Sequence, residues 1–147
     1  MRVCVQQAPF DLGAESTAFA SGHTDMGAIV TFTGVVRDLP GDPMEAMEIE
    51  HYPGMTEAAL TEIAEQAMER FSLGDALVIH RHGRLSPGEM IMMVATAARH
   101  RKDAFEAAEF LMDYLKSRAP FWKREITAQG ADWVAARDAD EDALKRW

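Results

Sequence analysis

Apolar positions follow two spacings along the chain, and each spacing predicts one kind of element. Alternating or continuous apolar stretches rich in β-branched residues predict strands, because such side chains pack well on a pleated surface. Apolar residues repeated three and four positions apart predict helices. The predicted strands are residues 2–7, 27–36, 45–51, 76–85, 89–98 and 121–127, and the predicted helices are residues 12–21, 56–71 and 102–118.

Turn and capping signals mark the ends of these elements. Thr56 can cap the second helix, and Pro120 cannot continue the third. Residues 37–43 combine Pro, Gly and Asp as flexible loops do, and residues 140–147 form a short terminal helix or a tail. The strand 89–98 is apolar at nearly every position, which predicts a central strand covered on both faces.

The predicted order of elements is β-α-β-β-α-β-β-α-β, without the strict alternation of a doubly wound parallel sheet. Strand pairs joined by short loops, with helices between them, favour an α+β fold whose sheet is largely antiparallel or mixed. The length of 147 residues fits one domain, which we expect to cover residues 1–147.

Composition and charge narrow the class of protein. The chain has a formal net charge of −9, which argues against a nucleic-acid binder. Its longest apolar run, Met90–Ala98, is far too short to cross a membrane, and its first residues lack the features of a signal peptide. Cys4 is the single cysteine and has no basic neighbour, and the sequence contains no serine-hydrolase, P-loop or dinucleotide-binding motif. We therefore expect a cytoplasmic protein that binds neither nucleic acid nor membranes.

Positive charge is concentrated in one part of this acidic chain. Residues 99–124 contain seven of the 15 Lys and Arg residues but only four carboxylates, a local net charge of +3. Alternation in the last strand sends Lys123 and Arg124 to opposite faces, so one of them faces inward if that sheet is covered on one side. Arg37 begins a loop, and His100 precedes a helix N-terminus, where free N–H groups favour anions. Cations in the last strand, at the start of this loop and at this helix N-terminus suit a phosphate-bearing small molecule.

Two lysines near large aromatic side chains are candidates for catalysis. An amine that is partly desolvated and surrounded by other cations can act as an acid, a base or a nucleophile near neutral pH. Lys116 precedes the aromatic pair Phe121 and Trp122, and Lys123 directly follows it, so both lysines are placed for such a role.

Other readings of the same residues need no catalysis. Lys116 at the end of a helix complements the helix dipole, and exposed cations on a strand are often only solvated. His80 and His82 could present two imidazoles to a metal, with a third ligand from His51 or His100, or they could be ordinary half-exposed histidines.

Five segments together are similar to one known family. They read VTFTGVVR (30–37), EIEHYPGM (48–55), VIHRHGRLSPGE (78–89), HRKDAFEAAEFLMDYLK (100–116) and RAPFWKRE (118–125). In this order and spacing they resemble the large, catalytic subunit of molybdopterin synthase, from about residue 27 to residue 147. The resemblance implies a domain of the α/β-hammerhead type, in agreement with the α+β class.

The resemblance also implies a reaction and its partners. Members of this family install two sulfurs in a cyclic pyranopterin monophosphate (precursor Z), which forms the dithiolene of molybdopterin in molybdenum cofactor biosynthesis. The sulfur arrives as a thiocarboxylate on the C-terminal Gly-Gly of a small ubiquitin-like carrier, whose tail enters a pocket of the large subunit. The large subunit forms the central homodimer of a heterotetramer. No metal and no organic cofactor is implied.

The family's site residues correspond to positions within these segments. The resemblance implies that Lys116 lies nearest the thiocarboxylate, in proton transfer or oxyanion stabilisation, and that Lys123 supports it electrostatically. Arg137 is a candidate contribution from a dimer mate. The implied substrate-binding residues besides the two lysines are Arg37, His100, Arg101, Arg124 and Glu125, with Val35 and Val36 lining the pocket. The alternative is a non-catalytic module that uses the same cations to bind an anionic cofactor or a partner's C-terminal tail.

Overall fold

Residues 1–135 and 137–147 are described by the computed structural model. Within these residues none of the helices is both long and apolar enough to cross a membrane. The same residues form eight strands and four helices, in the order β1 (Arg2–Gln6), α1 (Leu12–Ala20), β2 (Ala28–Val35), β3 (Met44–His51), α2 (Met55–Arg70), β4 (Asp75–Arg81), β5 (Gly83–Leu85), β6 (Met90–Ala98), α3 (Arg101–Arg118), β7 (Phe121–Thr127), β8 (Gly130–Trp133) and α4 (Asp138–Leu144).

The strands form two four-stranded sheets. The first sheet has the order β1-β4-β6-β2 and is antiparallel except for the parallel pair β1–β4. The second sheet has the order β5-β3-β7-β8 and is antiparallel throughout. The predicted α+β class and the largely antiparallel pairing are confirmed, but the strands are divided between two sheets.

One predicted strand, residues 76–85, is two strands in different sheets. β4 pairs with β1 and β6, whereas β5 pairs with β3. At the crossing, the N–H of His82 donates to the carbonyl oxygen of Gln6 at 3.0 Å. Gly83 has a φ of 91°, and a Cβ on it would lie 3.1 Å from the Gln7 side chain. The apolar pattern continues through the crossing because Val78 and Leu85 face the same core, so the pattern does not reveal the break.

The short strand β8 is a second difference from the prediction. All four of its residues are exposed, and it pairs with β7 at the edge of the second sheet. Without a buried face it shows no apolar alternation, which is the signal that predicts strands. The observed order of elements therefore contains two more strands than the predicted one, and α4 replaces the alternative of a tail.

Helices cover both faces of the first sheet. α2 and α3 lie on one face, where their buried residues share a core with β3 and β5 of the second sheet, and α1 packs Phe19 against the other face. All residues of β6 after Met90 are buried, as expected for a central strand. The main core includes Leu60, Ile63, Val78, Leu85, Val94, Phe110 and Leu111.

Helix α2 begins at a glycine cap instead of at Thr56. Gly54 has a φ of 85°, and its N–H donates to Glu57 Oε2 at 2.6 Å. Thr56 is fully buried in the first turn, where its Oγ1 accepts from the N–H of Tyr52 at 3.0 Å. The same hydroxyl donates to the carbonyl oxygen of Pro120 at 3.3 Å. Thr56 therefore joins the start of α2 to the start of β7.

Helix α3 returns along the first sheet after the two-residue connection 99–100. It packs against β6 and β2, and Thr96 of β6 donates a hydrogen bond from Oγ1 to the carbonyl oxygen of Ala104 at 2.7 Å. Pro120 follows the helix after one extended residue, Ala119, as the sequence predicts. The chain then enters β7 in the second sheet.

Candidate functional site

Lys123 lies on the covered face of the second sheet. It stands opposite Ile49 of β3, which is 2% exposed, and is itself partly buried. Glu125, two positions further along β7, shares this face. Arg124 stands opposite Glu48 and points to the other side of the sheet. The alternation predicted from the sequence is present, and it separates the two cations.

Lys116 and Lys123 come together from two different elements. Lys116 is exposed in the last turn of α3, and Lys123 lies on β7 beyond the turn at Pro120. Burial lowers the pKa of Lys123 and the positive charge of Lys116 lowers it further, whereas Asp140 of α4 acts in the opposite direction. Lys123 therefore releases its proton more readily than an ordinary surface lysine does.

Arg124 makes its contacts on the opposite face of the second sheet. Its guanidinium is paired with Glu48, and Arg84 Nη1 lies 3.9 Å from the second oxygen of the same carboxylate. The Arg124 Cζ lies 5.3 Å from the ring centroid of Trp133. Hydrogen bonding to Glu48 raises the pKa of Arg124. Within a single chain these contacts of Arg124 join β7 to its neighbours β3 and β8. Its role in substrate binding stays a prediction.

Val35, Val36 and Arg37 lie at the end of β2, beside the turn that leads into β6. The N–H of Val36 donates to the carbonyl oxygen of Glu89 at 2.9 Å, and its carbonyl oxygen accepts from the N–H of Gly88 at 2.8 Å. Val36 is buried, whereas the side chains of Val35 and Arg37 are exposed. The backbone of Val36 thus fixes the place from which Arg37 projects.

The predicted site residues fall into two groups at opposite ends of α3. His100 is the N-cap and Arg101 the first residue of the helix, while Lys116 follows fifteen positions after Arg101. With a rise of about 1.5 Å per residue, these two Cα atoms are separated by roughly 22 Å along the helix axis. One small ligand cannot contact both ends within one chain.

The register of β2 places Arg37 near the same end of α3 as Lys116. Ala28 pairs with Ala98 next to His100, and Val35 pairs with Met90 at the far end of β6. Because α3 runs back along these strands, its last turn returns to the end that carries Arg37. We call His100 and Arg101 the histidine half-site, and we call the other group the lysine half-site, which comprises Val35, Val36, Arg37, Lys116, Lys123 and Glu125.

Two surface pockets of this chain lie away from the two lysines. One surface pocket of about 240 Å³ lies between α2 and α3 and includes Tyr114 and Arg118. Another of about 250 Å³ lies beside Met1 and Asp75. Neither of them is lined by Lys116 or Lys123.

His80 is buried and does not fit the expectation of a half-exposed histidine. It is 5% exposed, and its ring stacks on Phe121 with centroids 3.7 Å apart. Its Nδ1 is 2.7 Å from the carbonyl oxygen of Arg81, and burial lowers its pKa to about 3. The sequence signal for this burial is the continuous apolar run Ala76–Ile79 directly before His80, because β4 is buried on both faces.

The metal interpretation of the histidines receives no support from the part of the chain that the structure describes. His51 and His82 lie with ring centroids 4.2 Å apart, and His80 uses its Nδ1 on the backbone. Among residues 1–135 and 137–147, no group of three or more His, Cys, Asp or Glu side chains is placed to hold a metal ion.

The C-terminal helix supplies an acidic residue that the sequence analysis did not single out. Asp140 of α4 is close enough for its charge to act on Lys123. Arg118 of α3 is paired with Glu141 of the same helix at 2.6 Å, and Arg137 is its exposed N-cap. The acidic side chains of α4 resemble those of any solvated helix, so only tertiary packing identifies Asp140 as a neighbour of the site.

Known proteins resemble this chain over almost its whole length. Residues 5–118 match the family model described as MoaE protein. A molybdopterin synthase catalytic subunit of Cereibacter sphaeroides is 71% identical over 147 residues, which is 100% of both chains. The solved structure of a molybdopterin biosynthesis MoaE protein from Burkholderia ambifaria MC40-6 has a TM-score of 0.85 at 51% identity, over 99% of this chain and 96% of that chain.

A more distant solved structure shares the fold alone. It is described as a protein–protein complex of subunits 1 and 2 of molybdopterin-converting factor from Helicobacter pylori 26695. Its TM-score is 0.77 at 18% identity, over 92% of this chain and 91% of that chain. The arrangement of elements is thus kept while most side chains differ.

Proposed function

Since the chain belongs to the MoaE family, we propose that it transfers sulfur from the C-terminal thiocarboxylate of a small ubiquitin-like carrier to a cyclic pyranopterin monophosphate. The product is molybdopterin, whose dithiolene contains the two new sulfurs. The observation that carries the proposal is the convergence of Lys116 and Lys123 from α3 and β7, with one ammonium exposed and the other partly buried.

The lysine pair suits chemistry at an acyl carbon. Releasing sulfur from the carrier breaks its acyl carbon–sulfur bond, and water supplies the oxygen that leaves on the carrier as a carboxylate. A tetrahedral oxyanion on this path is stabilised by a nearby ammonium. We assign this stabilisation and proton transfer to Lys116, which is exposed at the end of α3, and electrostatic support to Lys123.

The remaining cations suit the anionic parts of the substrate. Arginine binds phosphate through two parallel hydrogen bonds, and a helix N-terminus adds N–H groups that favour anions. Arg37, His100 and Arg101 are therefore proposed to hold phosphate and pterin oxygens, with Val35, Val36 and Glu125 lining the pocket. Arg124 would join them only by exchanging its contact with Glu48 for the substrate.

A homodimer would join the two half-sites. β2 is an edge of the first sheet, and exposed edges with apolar side chains invite pairing. Two β2 strands packed antiparallel about a twofold axis would set the start of one beside the end of the other. The histidine half-site of one protomer would then face the lysine half-site of its partner. The exposed apolar residues of this strand are Ile29 (36%), Phe32 (44%) and Val35 (50%).

The carrier subunit is proposed to bring its tail to the lysine half-site. A C-terminal thiocarboxylate is an anion, and the segment 99–124 provides a local charge of +3 in a chain of net charge −9. Two carriers on a homodimer would form a heterotetramer. The bound carrier would also help to enclose the substrate at the lysine half-site.

Reconstitution with the thiocarboxylated carrier and precursor Z tests the proposal by measuring molybdopterin. We expect Lys116→Ala to lower its formation by about 100-fold or more, as loss of a general acid–base residue does. Carrier binding, measured separately by titration calorimetry, should survive. Full activity in this variant would refute the catalytic assignment.

Lys116→Arg separates catalysis from mere binding. Arginine keeps the positive charge but cannot release its proton. A module that only binds an anionic tail or cofactor would tolerate this change, whereas proton transfer would not. We expect Lys116→Arg to bind the carrier and to lose most of its sulfur transfer. If it transfers sulfur at the normal rate, the binding-module alternative is favoured.

A further inference from the structure

Three histidines cluster beside Phe121, which precedes Lys123 by two positions on β7, and the chemistry proposed above leaves them unused. His51 lies opposite Phe121 in the β3–β7 register, and its ring is 4.2 Å from that of His82. The His80 ring stacks on Phe121 at a centroid distance of 3.7 Å and an interplanar angle of 17°. Because Phe121 and Lys123 are two positions apart on one strand, this stack is next to Lys123 on the same face.

The His80 ring is uncharged and held in one orientation. A carbonyl oxygen only accepts, so the 2.7 Å contact with the carbonyl oxygen of Arg81 places the proton of His80 on Nδ1. Burial lowers the pKa of His80 to about 3, and the charge of Lys123 acts in the same direction. Near neutral pH the stack therefore presents a flat, neutral surface.

A neutral wall has a specific use at this position. Several charged or titratable groups surround Lys123. They are Lys116 from α3, Asp140 from α4, Glu125 on β7, His51 on β3, His80 on β4 and His82 directly after β4. A protonated side chain here would add a third positive charge beside the two lysines. A neutral ring excludes water without that cost.

We propose that His80 is a positioning residue for Lys123: its neutral imidazole, stacked on Phe121, forms the wall that holds the lysine side chain in place and keeps water from it. This inference rests on the proposed role of Lys123 in sulfur transfer. His80 itself contacts no substrate in this scheme. Its hydrogen bond to Arg81 fixes the ring plane where the chain leaves β4 for β5.

Two substitutions separate the wall from the hydrogen bond. His80→Asn can still donate to the Arg81 carbonyl but removes the stacked ring, whereas His80→Phe keeps a stacked ring but removes the donor. The Lys123 ammonium is titrated by NMR of the free enzyme, with Lys123→Arg to assign its signal. His82→Ala is the matched control, because it removes a neighbouring imidazole that does not stack on Phe121.

We expect the Lys123 titration midpoint to rise in His80→Asn, so that the neutral amine fraction at a fixed pH below the midpoint falls about threefold or more. The midpoint should be unchanged in His80→Phe and in His82→Ala. The high-pH limb of the kcat profile, where the supporting Lys123 ammonium is lost, should move with the midpoint. Should His80→Asn not fold, Phe121→Leu removes the other half of the wall and should give the same rise.

Three results would overturn the inference. They are an unchanged midpoint in His80→Asn or its substitute, an equal rise in His80→Phe, and an equal rise in His82→Ala. The titration needs no substrate, so it is independent of the proposed reaction. If Lys123→Ala transferred sulfur normally, the role of Lys123 would fail while the titration still decided whether His80 positions it.

Discussion

Lys123 differs from an ordinary surface lysine because it faces the covered side of the second sheet. Burial and the positive charge of Lys116 both lower its pKa. The unfolded chain binds the Lys123 proton with an ordinary pKa, about 10.4. The folded chain binds it less tightly, so the ammonium costs stability at every pH below its folded pKa. This cost disappears as the pH rises from the folded pKa to the unfolded one.

Lys123→Met should therefore stabilise the protein at pH 7 while it impairs sulfur transfer. The gain should shrink as the pH rises toward about 10.4, where the wild-type lysine is neutral in both states. Urea unfolding at several pH values measures it, with the exposed Lys102→Met as the control for an added apolar side chain. A variant that is less stable than the wild type at pH 7 would contradict this account.

Single residues of the site were predictable where one local rule fixes their surroundings. Alternation in β7 predicts that Lys123 and Arg124 lie on different faces, and both positions agree. The contact of Arg124 with Glu48 was not predictable, because it depends on which strand lies beside β7. Asp140 was missed for the same reason, since α4 and β7 are brought together only by the folded chain.

At the scale of elements, Thr56 holds two parts of the chain together. Its buried hydroxyl satisfies the N–H of Tyr52 and the carbonyl oxygen of Pro120, which precedes the strand of Lys123. Thr56→Val keeps the shape but leaves both backbone groups without this partner. Leaving buried polar groups unpaired costs about 1–3 kcal/mol. We expect the free energy of unfolding to fall by about this amount, measured in urea.

Thr61→Val on the same helix is the control for Thr56→Val. Thr61 is partly exposed, so its hydroxyl can be replaced with little loss. Equal destabilisation by the two substitutions would mean that the helix, not the link to β7, responds to the loss of a threonine.

Elements were predictable where burial imposes a period and less so where two sheets meet. β6 and α3 have strong apolar patterns, and the structure contains both. The crossing from β4 to β5 has no such signal, because residues on both sides of His82 are buried in one core. Gly83, with its φ of 91°, is the local mark of the break, but a single glycine does not specify which sheet follows.

At the scale of the molecule, the length of α3 decides how the site is built. In the sequence, His100 and Lys116 belong to one continuous motif and were expected to share a pocket. A helix of 18 residues places them at opposite ends, so under the proposed function one complete site would draw on two chains. This requirement leads to a test that no single-chain site could pass.

Mixed dimers of two inactive variants supply that test. Lys116→Ala disables the lysine half-site of its own chain, and His100→Ala disables the histidine half-site of its own chain. In a heterodimer of the two, both losses fall in one composite site and the other site is intact. Heterodimers purified with two different tags should therefore regain about half of the wild-type activity, while each homodimer remains at least about 100-fold reduced.

A heterodimer of two differently tagged Lys116→Ala chains is the control for the tags and the purification, and it should stay inactive. If each chain carried a complete site, both sites of the mixed dimer would contain one loss, and activity would stay at the level of the parents. Recovery therefore requires that His100 of one chain and Lys116 of the other serve the same substrate, because within one chain the helix separates them by more than roughly 22 Å.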